Sequence, residues 1–215
     1  MKIYGALLSP FVRKVAVVAA EKGIVTQDAP GGPGNPDPAF LAASPMGKIP
    51  AIDDDGYTLA DSSAIVAYIE AKWPEPCLIP AEAQARGRAI WFDEFADTIM
   101  ATACGKILFN RLVGPKLLNM PGDEAVALQG EAELPRLLEY LESVAPAKGW
   151  LVGEAFGLAD IAVASVFRTM EYVNHGVDAA ARPLTAAWYG RVCARDSWQA
   201  VAEKEAKLAE RILPL

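Results

Sequence analysis

The stretch Ser44-Pro45-Met46-Gly47-Lys48-Ile49-Pro50-Ala51-Ile52 decides how the rest of the chain is read. Two prolines bracket a glycine, and an apolar run then leads into the acidic turn Asp53-Asp54-Asp55-Gly56. Proline has no N–H, so it is tolerated at the first residue of a strand and not in its middle. Pro50 therefore predicts that a strand begins there. A tight turn entering a strand is also the usual place for a cis X–Pro bond. With Ile49–Pro50 cis, the backbone N–H and C=O of Ile49 turn outward with no partner in the fold. An extended, peptide-like ligand can pair with them as an added strand. The plain alternative is an ordinary proline-containing loop.

Upstream, Lys2 to Leu8 is short and apolar and reads as a strand. Ser9-Pro10 follows, a favoured helix N-cap and a favoured first helical residue. Phe11 to Lys22 predicts a helix ending before Gly23, with Val15, Val18 and Ala19 on its inner face. Ser9 thus stands at a helix N-terminus, where unpaired N–H groups and the helix dipole favour an anion. Ile24 to Ala29 predicts a second strand, Pro30 to Pro38 a loop, and Ala39 to Ala43 a short helical turn.

Downstream, Ala51-Ile52 and the region of Tyr57-Thr58-Leu59 flank the acidic turn as a hairpin. Asp61-Ser62 caps a helix over Ser63 to Lys72, with Ile65, Val66 and Ile69 inward and Pro74 as its stop. The first ~75 residues read β-α-β-α-β-β-α. A proline-rich linker without periodicity follows over 76–82. Beyond it only helices are predicted: Ala83 to about Phe109, with Ile90, Trp91, Phe95 and Ile99 at helical spacing; Asp123 to Val144, with Leu134, Leu137, Leu138 and Leu141 inward and a kink at Pro135; Leu158 to Val173; Pro183 to Arg195; and Trp198 to about Glu210. Gly114 to Gly122 reads as a connection. The domains expected are 1–75 and 83–215.

Composition narrows the function. The 215 residues are 53% hydrophobic and 22% charged, which describes a packed globular chain rather than a disordered one. A formal charge of −7 and no basic run argue against nucleic acid as a partner, since phosphate contacts need clustered Lys and Arg. No stretch approaches the ~18 apolar residues of a membrane span. Met1 runs directly into a strand-like segment rather than a signal peptide. Cys77, Cys104 and Cys193 are far apart, with no metal spacing, which fits a reducing compartment. The one histidine, His175, reads as a surface or loop residue and excludes a His-based zinc site.

Four segments, in order, resemble the cytosolic glutathione transferase family over nearly the whole chain. Ser9-Pro10-Phe11-Val12-Arg13-Lys14-Val15 looks like the catalytic-serine segment of serine-type, bacterial-like members. Gly47 to Ile52 resembles the cis-proline segment. Ala60-Asp61-Ser62-Ser63-Ala64-Ile65 resembles the segment that holds the γ-glutamyl group. Gly153-Glu154-Ala155-Phe156-Gly157-Leu158-Ala159-Asp160-Ile161 looks like the helix-capping motif of the helical domain. The resemblance implies an α/β plus all-α fold: a thioredoxin-like domain followed by an all-helical bundle. It implies a cytoplasmic homodimer with glutathione as co-substrate and no tightly bound cofactor or metal.

By resemblance, Ser9 donates a hydrogen bond to the glutathione thiolate, and Phe11, Lys48, Ile49, Pro50, Asp61 and Ser62 bind glutathione. Ile49 pairs with the cysteinyl backbone, Asp61 faces the γ-glutamyl amine and Ser62 its carboxylate. The electrophile pocket is expected between the domains, with Phe11, Arg13, Thr102, Cys104 and Phe109 as candidates. Asp160 is the structural cap. Each has a plainer reading: Ser9, Asp61 and Ser62 as ordinary caps, Arg13 as a solvated helix residue, Cys104 and Phe109 as core. Two departures stand out. Gly157 replaces the family's usual Ser or Thr, and the Pro30–Pro36 loop has no basic residue for the glycyl carboxylate, leaving Lys48 as a weak substitute. The leading expectation is transfer of glutathione's sulfur to a small hydrophobic electrophile. The alternatives are a glutathione-dependent thiol reductase, whose members usually carry Cys where Ser9 stands, and a non-catalytic scaffold.

Overall fold

Strand order β2-β1-β3-β4 organises the first half of the computed structural model, which describes residues 1–213. The elements are β1 (Lys2–Tyr4), α1 (Pro10–Glu21), β2 (Gln27–Ala29), α2 (Pro38–Ala43), β3 (Ala51–Asp54), β4 (Tyr57–Ala60) and α3 (Ser62–Lys72). This is the predicted β-α-β-α-β-β-α order of a thioredoxin-like domain. β1 runs parallel to β2 and antiparallel to β3, and β3 and β4 form the predicted hairpin. Its loop is Asp55-Gly56, both at positive φ (53° and 90°), the two-residue turn that follows the strands' twist.

Successive strand residues face opposite sides of a sheet. Tyr4 and Ala51 join Phe40 and Ala43 of α2 in one buried cluster. Ile3 and Ile52 face the other way, where α1 and α3 pack with Val15, Val18, Ala19, Ile65, Val66 and Ile69 fully buried. The predicted inner faces of both helices are therefore the observed ones.

Two strands are shorter than the sequence suggests. β1 stops at Tyr4 because Gly5 takes φ +127°, a conformation that side-chain-bearing residues rarely adopt. β2 starts only at Gln27, since the Ile24 N–H is used on the Ala19 carbonyl to close α1, and Val25 is exposed.

The chain forms two compact units. The first is Met1–Leu78 together with Asp196–Leu208, and the second is Ile79–Arg195 with Ala209–Leu215. The second unit is an all-helical bundle. It contains α4 (Ala83–Glu94), wide π turns over Phe95–Met100, α5 (Ala101–Leu108), a second π stretch (Phe109–Leu117), α6 (Glu124–Val144), α7 (Leu158–Glu171) and α8 (Pro183–Cys193). α9 (Asp196–Ile212) contributes its first three turns to the first unit.

α7 is the buried centre, with every residue from Leu158 to Phe167 inside. Along α4 and α5 the expected inner face is corrected: Ile90, Trp91 and Ile99 are each about two-fifths exposed, and only Phe95 is buried. The buried stripe is instead Ala89, Phe92, Asp93, Ala96, Met100, Ala103, Cys104 and Ile107. The stripe alternates small residues, Ala89, Ala96 and Ala103, with bulky ones, Phe92, Phe95, Met100 and Ile107, and the small ones let neighbouring helices approach. Gly130 shows the same economy: a Cβ there would lie 2.6 Å from the Ala103 carbonyl oxygen. The expected connection at Gly114 is helical to Leu117, its wide turns absorbing Pro115, which has no N–H to give. α6 runs on through Pro135, with Leu134 and Leu141 buried and Leu137 and Leu138 half-buried. His175 lies in a loop, as expected, but half-buried, with Nε2 2.9 Å from Glu131 and 3.3 Å from Arg111.

Candidate functional site

Strand register gathers the predicted binding segments at one end of the sheet. Tyr4, the last residue of β1, lies opposite Ala51, the first of β3; Ala51 lies opposite Ala60, the last of β4. The residues just beyond those ends are Gly5 to Ser9, Ile49-Pro50 and Asp61-Ser62, so all three segments leave the sheet at the same edge. Ile49–Pro50 is cis. Gly5 lets Ile49 come close, since an added Cβ would sit 2.9 Å from Ile49 Cβ. Among the described residues, the Ile49 N–H has no backbone partner.

The loop before Pro50 is closed by Ser44, which is fully buried. Its hydroxyl accepts from the Lys48 N–H at 2.9 Å and donates to the Lys48 carbonyl at 2.7 Å. Ser44 thereby fixes the backbone of Lys48 and presents Ile49. The Lys48 side chain is exposed. The signal for this role in the sequence is a serine that starts a short turn into proline.

Ser9 is the N-cap residue of α1 with Pro10 at the first helical position, but its hydroxyl makes no capping hydrogen bond. Its carbonyl accepts from the Arg13 N–H at 3.0 Å, as the first helical bond. The side chain is half-buried, and the first turn of α1 holds no acidic residue to neutralise the positive end of the helix. The hydroxyl is thus left at a dipole end that favours a negative ligand atom.

Asp61 caps α3 with Oδ1 alone, which accepts from Ser63 N–H at 3.1 Å and Ala64 N–H at 3.0 Å. It holds φ +81°, a backbone cost of about 1–3 kcal/mol for a non-glycine residue. Capping and ligand binding coexist here, because neither of those bonds uses Oδ2. Ser62, the first residue of α3, is buried. Lys14, buried in α1, donates to Ser63 Oγ at 3.1 Å and ties the two helices together near their N-termini. Sequence reasoning gave Lys14 no role; only the packing of α1 on α3 reveals it.

The electrophile-pocket candidates fall in unlike surroundings. Phe11 is half-buried in the first turn of α1. Arg13 is not the solvated helix residue expected; it is 1% exposed, with Nε 2.6 Å from Glu205 Oε2, itself fully buried. Its guanidinium faces inward because α9 packs against α1. In the second unit, Thr102 is exposed and donates its hydroxyl to the Thr98 carbonyl. Phe109 is 41% exposed. Cys104 is buried, and that burial pushes its thiol up to about 12, so it is protonated and inert at neutral pH.

The structural cap is where the sequence placed it. Asp160 is buried and accepts from Gly157 N–H at 3.2 Å, Leu151 N–H at 2.9 Å and Trp188 Nε1 at 2.7 Å, while its own N–H donates to the Gly157 carbonyl. Gly157 serves as N-cap by backbone alone, so its lack of a hydroxyl leaves the motif intact.

Two family models match the chain. The N-terminal domain of glutathione S-transferase matches residues 3–77, and its C-terminal domain matches residues 93–196. The chain belongs to the glutathione S-transferase family. Glutathione S-transferase 3 of Zea mays is 34% identical over 207 residues, covering 93% of this chain and 91% of that protein. A glutathione S-transferase from Rhodospirillum rubrum F11 superimposes with a TM-score of 0.84 at 26% identity, over 93% of this chain and 90% of the other. A glutathione S-transferase-I solved with lactoylglutathione gives a TM-score of 0.80 at 26% identity, over 94% and 98% of the two chains. Among the described residues no helix is long and apolar enough to cross a membrane, and no group of His, Cys, Asp and Glu is placed to hold a metal ion.

Proposed function

We propose that this glutathione S-transferase family member binds glutathione at the common edge of β1, β3 and β4 and transfers its sulfur to a small hydrophobic electrophile. The observation that carries the reading is Ser9. Its hydroxyl stands at a helix N-terminus and leaves the helix's own N–H groups unserved, so it is available to a ligand. Asp37, Asp61, Glu82 and Asp123, by contrast, all spend side-chain oxygens on capping.

A free thiol titrates near about 8.5, so only a few per cent is thiolate at neutral pH. Making it ten to a hundred times more acidic needs roughly 1.4–2.8 kcal/mol of differential stabilisation. A serine hydroxyl is no base at pH 7. Ser9 acts instead as a donor to the thiolate, beside the positive end of α1. Ile49 pairs its backbone with the cysteinyl part of glutathione, helped by its sequence neighbours Lys48 and Pro50, and Phe11, two residues after Ser9, adds to the site from α1. Asp61 Oδ2 receives the γ-glutamyl ammonium, and the α3 N-terminus at Ser62 receives its carboxylate. The thiolate then attacks the electrophile; a leaving group departs with the bond's electrons, or the adduct takes up a proton from water.

Thr102 and Phe109, both exposed, remain proposed neighbours of the electrophile, while Arg13 and Cys104 are buried and drop out; a cytoplasmic homodimer is the proposed form. Sedimentation at micromolar concentration tests the latter, with a monomer removing it. The site is tested by titrating glutathione calorimetrically and following thiolate absorbance against pH. Binding with a lowered thiol pKa is expected. Ser9→Ala is expected to cut conjugation about ten- to a hundredfold, the worth of a hydrogen bond to a charged group. Unchanged turnover would hand the sulfur to another group, and glutathione that does not bind would end the reading.

A further inference from the structure

α9 lies antiparallel to α1 and is pinned to it at both ends. Arg13 Nε meets Glu205 Oε2 at 2.6 Å near the start of α1, and the Ser197 hydroxyl donates to Glu21 Oε1 at its end. Arg13 and Glu205 are 192 residues apart in sequence and both are buried. Between the two pins a groove of about 220 Å³ runs along α1, lined by Ala16 and Ala20, by Ala200, Val201 and Lys204 of α9, and by the segment from Ile24 to Asp28 that follows α1. Toward the sheet and α3, α1 is held by Val12, Val15, Val18 and Ala19, all buried; on the side that faces α9, where this groove runs, the polar pins hold it.

A buried ion pair is a poor stabiliser compared with apolar residues of the same size, because both charges lose their hydration. What it supplies is one geometry. Arg13 stands one helical turn after Ser9, on the same face of α1, and its N–H is bonded to the Ser9 carbonyl. We infer that Glu205, by holding Arg13, is a positioning residue for Ser9: the C-terminal helix sets the orientation of the hydroxyl that meets the glutathione sulfur. The inference rests on the role proposed above for Ser9. Both side chains are buried, Arg13 and Glu205 alike, and act on the sulfur only through Ser9.

The test is the apparent pKa of bound glutathione, read by thiolate absorbance against pH, for wild type and for the double variant Arg13→Met/Glu205→Met. That variant removes both charges together and keeps the buried volume. The expected result is a folded protein that binds glutathione within about threefold of wild type but holds roughly tenfold less thiolate at pH 7. A purely structural role would lower the melting temperature and leave the pKa of the bound thiol where it was; that result overturns the inference. If the double variant does not fold, Glu205→Gln decides. It keeps a hydrogen bond from Arg13 Nε, so it is expected to shift the thiol pKa part of the way, and no shift overturns the inference equally. A wild type that binds glutathione without lowering its pKa would count against the role of Ser9 itself, which is a separate outcome.

Discussion

Gly5 and Ile49 are packed so closely that a Cβ on Gly5 would lie 2.9 Å from Ile49 Cβ and 2.7 Å from Val12 Cγ2. The contact joins the end of β1, the first turn of α1 and the cis-proline segment in one place. Gly5→Ala would also force a side chain onto φ +127°. The expected outcome is displacement of Ile49, at least tenfold weaker glutathione binding by calorimetry, and a stability loss of about 1–3 kcal/mol. Wild-type affinity in the variant would mean that Ile49 is not held by this contact.

Asp160 gathers three donors in the second unit, and removing it strands them. Asp160→Ala leaves the N–H groups of Leu151, Gly157 and Trp188 without their acceptor. At about 1–3 kcal/mol for each unsatisfied buried group, a loss of about 3 kcal/mol or more in urea unfolding is expected. Burial raises the Asp160 carboxyl above the ordinary carboxylate range, against the pull of its hydrogen bonds. A raised folded pKa contributes stability that is complete below the unfolded-state value and is lost as pH rises through the folded one. Asp160→Asn keeps an acceptor without the charge, so its deficit against wild type should narrow between pH 4 and 7.

Asp54 has the opposite sign. Burial opposes its ionisation, but hydrogen bonds from Lys72 Nζ and Tyr68 Oη, both 2.6 Å from Oδ2, outweigh it and hold the carboxyl below the ordinary range. Its contribution is present above that range and fades as pH falls through the folded value. Lys72 is pushed up to about 12 by the same bonds, so its share fades only as pH rises through that point. The stability advantage of wild type over Asp54→Asn is therefore expected to be flat from pH 6 to 10 and to shrink in acid. An advantage that grows below pH 4 would contradict the assignment.

Thiol reactivity should follow burial. Cys77 is exposed, Cys193 is half-buried with its thiol raised by that burial, and Cys104 is buried with its thiol near 12. Alkylation at pH 7.5 followed by peptide mapping is expected to label Cys77 first and Cys104 only after unfolding. Early labelling of Cys104 would place it in an open pocket.

Local patterns carried much of this protein. Ser9-Pro10 marked the start of α1, Asp61 the start of α3, and Asp53-Asp54-Asp55-Gly56 the hairpin turn, which the structure narrows to Asp55-Gly56 because Asp53 and Asp54 pair within β3. Asp160 marked the cap of α7, because caps and turns depend on residues within a few positions of one another. Proline before a strand marked the Ile49–Pro50 bend for the same reason. The tertiary structure alone decided what lies far apart in sequence. It turned Arg13 inward to Glu205, tied Lys14 to Ser63, and buried Ala89, Phe92, Ala96, Met100 and Ala103 along α4 and α5 rather than Ile90, Trp91 and Ile99. Those outcomes depend on which helix packs against which and how closely, and no window of neighbouring residues contains that information.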